Sequence, residues 1–320
     1  MKPFVGVFEK PLNDFVALKR SLGFKYDVAA DELYRFSKFS ETLQLQEPIL
    51  NKDVVLAWNA KRATESLTTQ SRRIYTLRQF ALYLQSIGSQ AYVTSPDRNP
   101  HRQSHIPFIF THLEIEHILL NSDQLRKRGH STTPAVIPVL LRMLYGCGLR
   151  ISEAVSLQNK HVDLQRGILE IKQGKFDKDR VIPMSDTLSQ VCRQYYRTIH
   201  QRSSADDYFF LKADRHPITA DNVYRRFREI LWESGISHGG KGKGPRVHDL
   251  RHTFAVHALK RAVEKGIDLY CALPILSVYM GHASVEATSQ YVRLTADVFP
   301  DIQAALEQIY GQVIPEVIWE

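Results

Sequence analysis

Cysteine is scarce in this chain of 320 residues, and Cys147, Cys192 and Cys271 stand far apart with no CxxC pair. That argues against a disulfide framework or a zinc ribbon and fits a reduced cytosolic setting. Long apolar runs are missing too. No stretch approaches the length of a membrane-spanning helix, and the opening MKPFVGVFEKPLNDF lacks the apolar segment of a signal peptide. A soluble, cytoplasmic protein with no membrane partner is expected. Acidic residues are in deficit: 34 Asp plus Glu face 42 Lys plus Arg, a formal charge of +8. Such a balance suits a polyanionic partner, although many basic proteins bind no nucleic acid. The rest, 43% hydrophobic and 24% charged, is ordinary for a globular chain long enough for two domains.

The first hundred residues read as helices. PLNDFVALKRSL places Leu12, Phe15, Leu18 and Leu22 at spacings of three and four. TQSRRIYTLRQFALYLQSIG puts Ile74, Leu77, Ala81 and Leu84 on one face, with Arg72, Arg73 and Arg78 elsewhere and Gly88 as a stop signal. SPDRNPHRQSHIP then loses all hydrophobic period and carries Pro96, Pro100 and Pro107. The expected organisation is a helical domain over 1–94, a linker over 95–107 and a second domain over 108–320. The second domain is again mostly helical, except for GILEIKQGKFDKDRVIPM. There Ile168 to Ile171 and Val181 to Ile182 flank a charged turn with Gly174, which predicts a β-hairpin. The fold class expected is therefore mainly α with a small β-hairpin in the second domain. The final segment sets Ile302, Leu306 and Ile309 on one stripe and ends in Val317-Ile318-Trp319, a tail expected to fold back or to dock on another chain.

Two stretches put arginine in apolar company. In LLRMLYGCGLRISEAVSL, Arg150 follows a glycine-rich turn and opens a helix, with Glu153 one turn on. In RVHDLRHTFAVHAL, His248 and Arg251 share a helix face. A guanidinium fork matches phosphate oxygens and keeps its charge, so two arginines on separate helices suit a phosphoryl transition state. Taken singly, the first pair is an ordinary helix salt bridge and the second a cap with an ion pair. His252 and His257 read as further helix residues without a role. His248 and His252 have zinc spacing, but no third ligand accompanies them. A metal-dependent phosphodiesterase on His248, Asp249 and His252 is one rival reading. GISHGGKG falls short of a phosphate-binding loop because Gly242 stands where Ser or Thr is needed. GKGPR reads as a flexible basic loop, with Lys241 and Lys243 as candidate DNA contacts. In GHASVEATSQYVRL, Gly281 ends a helix, His282 sits in the turn, and Tyr291 taken alone is an amphipathic surface tyrosine.

The order of these pieces is more telling than any one of them. YGCGLRISEAVSL, QGKFDKDRVIPM with Lys175, HDLRHTFAVH and MGHASVEATSQYV together resemble the tyrosine recombinase, or phage integrase, family over residues 108 to 295. The resemblance implies a two-domain, C-shaped DNA clamp whose first domain contacts DNA, with Arg72, Arg73 and Arg78 as candidates. It implies that Tyr291 attacks a phosphate to give a 3′-phosphotyrosine. Arg150, Arg251 and His282 would hold the non-bridging oxygens, Lys175 would protonate the leaving 5′-oxygen, His248 would assist the tyrosine's proton, and Glu153 would support. No metal, ATP or other cofactor is implied. The expected partners are a double-stranded recombination site and further copies of the chain: a dimer on each site, a tetramer at synapsis, strands passing through a Holliday junction. Accessory DNA-bending proteins fit the same picture. Integration, excision or transposition of a mobile element is the expected task, with chromosome-dimer resolution as the alternative. A type IB topoisomerase and a non-catalytic DNA-binding regulator are the remaining rivals. Cys147 between the two glycines of the first box, and the long KRAVEKGIDLYCALPILSVYM, depart from the compact pattern.

Overall fold

Alternating helix signals and capping residues lay out the architecture seen in the computed structural model. It describes residues 2–95, 106–127, 129–172, 179–237, 239–240, 244–282, 284–285, 288–292 and 294. The chain divides between His105 and Ile106 into two compact units. Most of the expected linker (residues 96–105), Lys175, Lys241, Lys243 and the C-terminal tail lie outside the described residues.

The first unit contains α1 (Glu9–Ser21), α2 (Asp27–Glu41), α3 (Lys52–Asn59) and α4 (Leu67–Ser86). Asn51 and Ser66 cap α3 and α4 through their side-chain oxygens. Phe8, Phe15, Phe36 and Phe80 form the centre of its core, with Trp58 against Phe36 at 5.4 Å. On α1 the buried stripe is Leu12, Phe15 and Val16, while Leu18 and Leu22 face outward, contrary to the expected face. The i, i+3, i+4 set beginning at Phe8 and Leu12 wins because it carries the aromatic ring that the other helices pack on.

Arg73 also corrects the expectation. Rather than lying off the apolar face of α4, it is fully buried. Its guanidinium holds Glu65 at 2.9 and 2.7 Å, donates to the Ala60 carbonyl and lies 5.1 Å from the Trp58 ring. With its charge balanced by both oxygens of Glu65 inside the unit, this guanidinium is committed to the core rather than to a phosphate. Of its expected companions, Arg72 is exposed, and Arg78 is half-buried and donates to the Thr94 carbonyl.

The second unit is built around α6 (Thr133–Gly146), which is buried almost continuously from Val136 to Leu144. Packed on it are α5 (His112–Asp123), α8 (Asp186–Ile199) and α10 (Asp249–Glu264); α9 (Ala220–Glu233) packs on α5 and on the short α7 (Ile151–Val155). The expected hairpin is present as β2 (Ile168–Ile171) and β3 (Arg180–Pro183), paired antiparallel with Leu169 opposite Ile182. A two-residue strand, β1 (Val162–Asp163), joins β2 and makes a three-stranded sheet. The class is mainly α with a small antiparallel sheet. A second cluster joins α10 to α11 (Leu269–Met280) and to Tyr291. Among the described residues no helix is long and apolar enough to cross a membrane.

Removing Arg73 strands a buried carboxylate, so Arg73→Met should destabilise the first unit by about 3 kcal/mol in urea unfolding. Arg72→Ala, at an exposed position, should change it by no more than about 0.5 kcal/mol.

Candidate active site

Helix α11 stops where Gly281 takes a left-handed conformation, φ +64°. The His282 N–H then reaches back to the Ser277 carbonyl and the Gly281 N–H to the Val278 carbonyl, each at 3.0 Å, the Schellman pattern. The next three carbonyls each accept a guanidinium. Arg180 Nε donates to Tyr279 at 3.0 Å, Arg251 Nη2 to Met280 at 2.6 Å, and Arg150 Nη2 to Gly281 at 2.8 Å. The partial negative charge of a helix C-terminus favours such cations.

Each arginine arrives on a different element. Arg150 is the N-cap of α7, just after left-handed Gly148; a Cβ there would meet the Phe254 ring at 2.5 Å, so no larger residue fits. Arg251 sits one turn into α10, 1% exposed, and its Nη1 donates to the Gly148 carbonyl. Arg180 opens β3 and holds both oxygens of Glu153, at 3.0 and 2.7 Å. The same carboxylate accepts from Arg150 Nη1 at 2.6 Å and from the Arg150 backbone N–H at 2.8 Å. Burial alone would raise the Glu153 pKa, but the hydrogen bonds and charge of Arg180 and Arg150 outweigh it and set it at about 2.

The histidines feel the surplus of positive charge. Burial, then the charges of Arg251, Arg246 and Arg150, pushes His248 down to about 4. Burial and the charges of Arg251, Arg150 and Arg180 bring His282 to about 4 as well, so both imidazoles are neutral at pH 7. Burial lowers Arg251, with Arg150 adding to it, to about 10, which leaves it charged.

Tyr291 lies in the helical stretch 288–292, only 1% exposed, against Ala255, Val256, Leu259, Leu276 and Met280. Its hydroxyl is 2.8 Å from His252 Nδ1, and its ring stacks at 6.1 Å on His282. His282 Nδ1 in turn is 2.7 Å from the Thr288 hydroxyl. Burial raises the phenol pKa, while the charges of Arg251 and Arg150 pull it the other way without winning. The structure thus brings Arg150, Glu153, His248, Arg251, His282 and Tyr291 together. Lys175 lies outside the described residues; nearby Lys172 is exposed and paired with Glu170 and Asp179.

Two residues of this site were not expected. Arg180 had no local signal, since its partner Glu153 is on another element. His252 did have one: it shares a face with His248 at i+4, and their rings meet edge to face at 4.7 Å. Its contact to Tyr291 spans 39 residues, which no spacing rule reveals. Among the described residues no group of three or more His, Cys, Asp or Glu is placed to hold a metal ion. Cys147 and Cys192 are buried free thiols and Cys271 is an exposed one.

The model for the phage integrase family matches residues 109–297. The chain belongs to that family. Like other members it is a site-specific recombinase. It is 28% identical over 285 residues to the tyrosine recombinase XerD of Listeria innocua serovar 6a, covering 86% of each chain. It is 26% identical over 310 residues to a Sinorhizobium fredii protein carrying the provisional name integrase/recombinase y4rB, covering 95% of this chain and 98% of that one. Its fold is similar to that of the XerH site-specific recombinase bound to palindromic difH substrate in a post-cleavage complex. That similarity has a TM-score of 0.63 at 19% identity, over 88% of this chain and 78% of the other.

The histidines give this integrase-family site a pH signature. His248 and His282, near 4 when folded against an ordinary 6.5, bind protons more readily in the unfolded chain between those values. Their contribution is therefore complete above about pH 6.5 and lost as pH falls to about 4. Glu153, folded near 2 against 4.5, adds a loss between about pH 4.5 and 2. Thermal melting should show the midpoint falling through the first window, and His282→Gln should flatten that part of the curve.

Proposed function

We propose that this recombinase cuts and rejoins duplex DNA by transesterification at Tyr291. The observation that carries the reading is the packing of Tyr291 against His252 and His282, beside the turn whose Met280 and Gly281 carbonyls pin Arg251 and Arg150. A phosphodiester entering there meets two fixed guanidiniums whose charge is only partly spent on Glu153. Fixed donors aimed at developing charge are the strongest single aid to phosphoryl transfer. Arg150 and Arg251 hold the non-bridging oxygens. In the tautomer whose Nδ1 accepts from the Thr288 hydroxyl, His282 carries its proton on Nε2 and can donate it toward the same oxygens.

Tyr291 attacks phosphorus and becomes a 3′-phosphotyrosine. Lys175 protonates the departing 5′-oxygen, and His248 assists proton traffic on the tyrosine side. Glu153 and Arg180 keep Arg150 in place. The phosphotyrosine retains the energy of the diester, so the reverse attack by a 5′-hydroxyl reseals a strand without ATP. The arginines, lysine and histidines supply the charge that a metal ion supplies in other phosphoryl-transfer sites.

Residues 1–94 act as a helical DNA-binding domain, with Arg72 and Arg78 its candidate contacts alongside Lys241 and Lys243 in the second domain. Residues 95–107 link it to a catalytic domain, 108–320, whose tail docks on a neighbouring protomer. Two protomers occupy the inverted arms of a site and four assemble at synapsis, exchanging strands through a Holliday junction. The palindromic substrate of the structurally similar XerH supports this arrangement. Integration, excision or transposition of a mobile element is the task that the integrase-named relative favours, with chromosome-dimer resolution as the alternative.

The test uses nicked suicide duplexes with randomised arms, incubated with the protein in EDTA. A covalent protein–DNA adduct should form and be recovered on a restricted set of sequences, and Tyr291→Phe should abolish it. No adduct on any sequence, or an adduct that survives Tyr291→Phe, would refute the reading.

A further inference from the structure

We propose that His252 is the catalytic residue that takes the proton from Tyr291 during cleavage and returns it during rejoining. This rests on Tyr291 being the nucleophile. The geometry is direct: His252 Nδ1 and the Tyr291 hydroxyl are 2.8 Å apart, with the rings 5.6 Å apart and inclined at 48°. A proton acceptor must lie within hydrogen-bond reach of the proton it removes, and His252 does.

His252 also follows Arg251 in sequence. One turn of α10 therefore presents the phosphate clamp and the proton acceptor from adjacent residues, and a shift of that turn moves both together. The His248 ring meets that of His252 edge to face at 4.7 Å, so it can help steer the acceptor. Its own imidazole is surrounded by Arg251, Arg246 and Arg150 and is a weak base in that field. The Tyr291 ring is fixed among apolar side chains of α10 and α11, which holds its hydroxyl at His252.

In the step, the Tyr291 O–H bond breaks and its proton passes to His252 Nδ1, giving an imidazolium. The phenolic oxygen forms a bond to phosphorus as the bond from phosphorus to the 5′-oxygen breaks. That oxygen leaves with a proton from Lys175. Rejoining runs the same transfers backward, so His252 ends neutral and no outside reagent is consumed.

The decisive experiment measures single-turnover adduct formation on a duplex recovered as above, for the wild type, His252→Ala and His252→Asn. The Asn side chain can still accept a hydrogen bond from the phenol but cannot take its proton. Both variants should be slower by about 100-fold. Replacing Tyr291 with a fluorinated tyrosine of lower phenol pKa should shrink that defect to about tenfold, because less help is then needed. Melting curves show whether each variant folds, and if His252→Ala does not, His252→Asn decides. A near-wild-type rate for His252→Asn, or a defect of the same size with fluorinated tyrosine, would overturn the proposal and leave His252 as a packing or positioning group. An adduct that persists in Tyr291→Phe would instead remove the nucleophile on which the proposal rests.

Discussion

Three consecutive carbonyls at the end of α11 hold the site together. A helix terminus leaves carbonyls without intrahelical partners, and the left-handed turn at Gly281 spends only Ser277 and Val278 on its own cap. Tyr279, Met280 and Gly281 are left to receive Arg180, Arg251 and Arg150. Elements as far as 131 residues away in the chain thereby meet at one turn. Gly281 is required twice over: its φ suits glycine, and a Cβ there would stand 3.0 to 3.2 Å from the Arg180 guanidinium.

Neutral carbonyls hold guanidiniums without cancelling their charge. Glu153 balances part of it, and the remainder adds to burial in lowering the pKa values of His248 and His282. Such an arrangement is costly until an anion arrives, since buried like charges repel and lose hydration. A phosphodiester relieves that cost. The same field acts on Tyr291 in the helpful direction but does not ionise it, because burial weighs more. A protonated, enclosed phenol is a weak nucleophile, and a neighbouring base must complete its activation.

Much of this site was legible in the sequence. The two arginine boxes, the histidine turn and the tyrosine follow one another in an order that single residues do not reveal, and the structure brings their side chains to one place. The hairpin was legible from its β-prone runs, whereas β1, with two residues, carries too little pattern to find. Arg180 looked like one more charge in a charged hairpin; its meaning comes from Glu153 on α7. Arg73 looked like a basic surface residue because a buried guanidinium and an exposed one share the same sequence signal. Only the partner, Glu65, and the covering Trp58 tell them apart. Leu18 and Leu22 fitted the right spacing on the wrong side of α1, because spacing does not say which of two apolar stripes a helix buries.

The most direct test of a tyrosine-centred transesterification is to isolate the protein–DNA adduct, digest both components and locate the linkage by mass spectrometry. A 3′-phosphate joined to the Tyr291 oxygen, with a free 5′-hydroxyl on the released strand, is the predicted result. A linkage to the 5′ side of the break, or to any residue other than Tyr291, would contradict it.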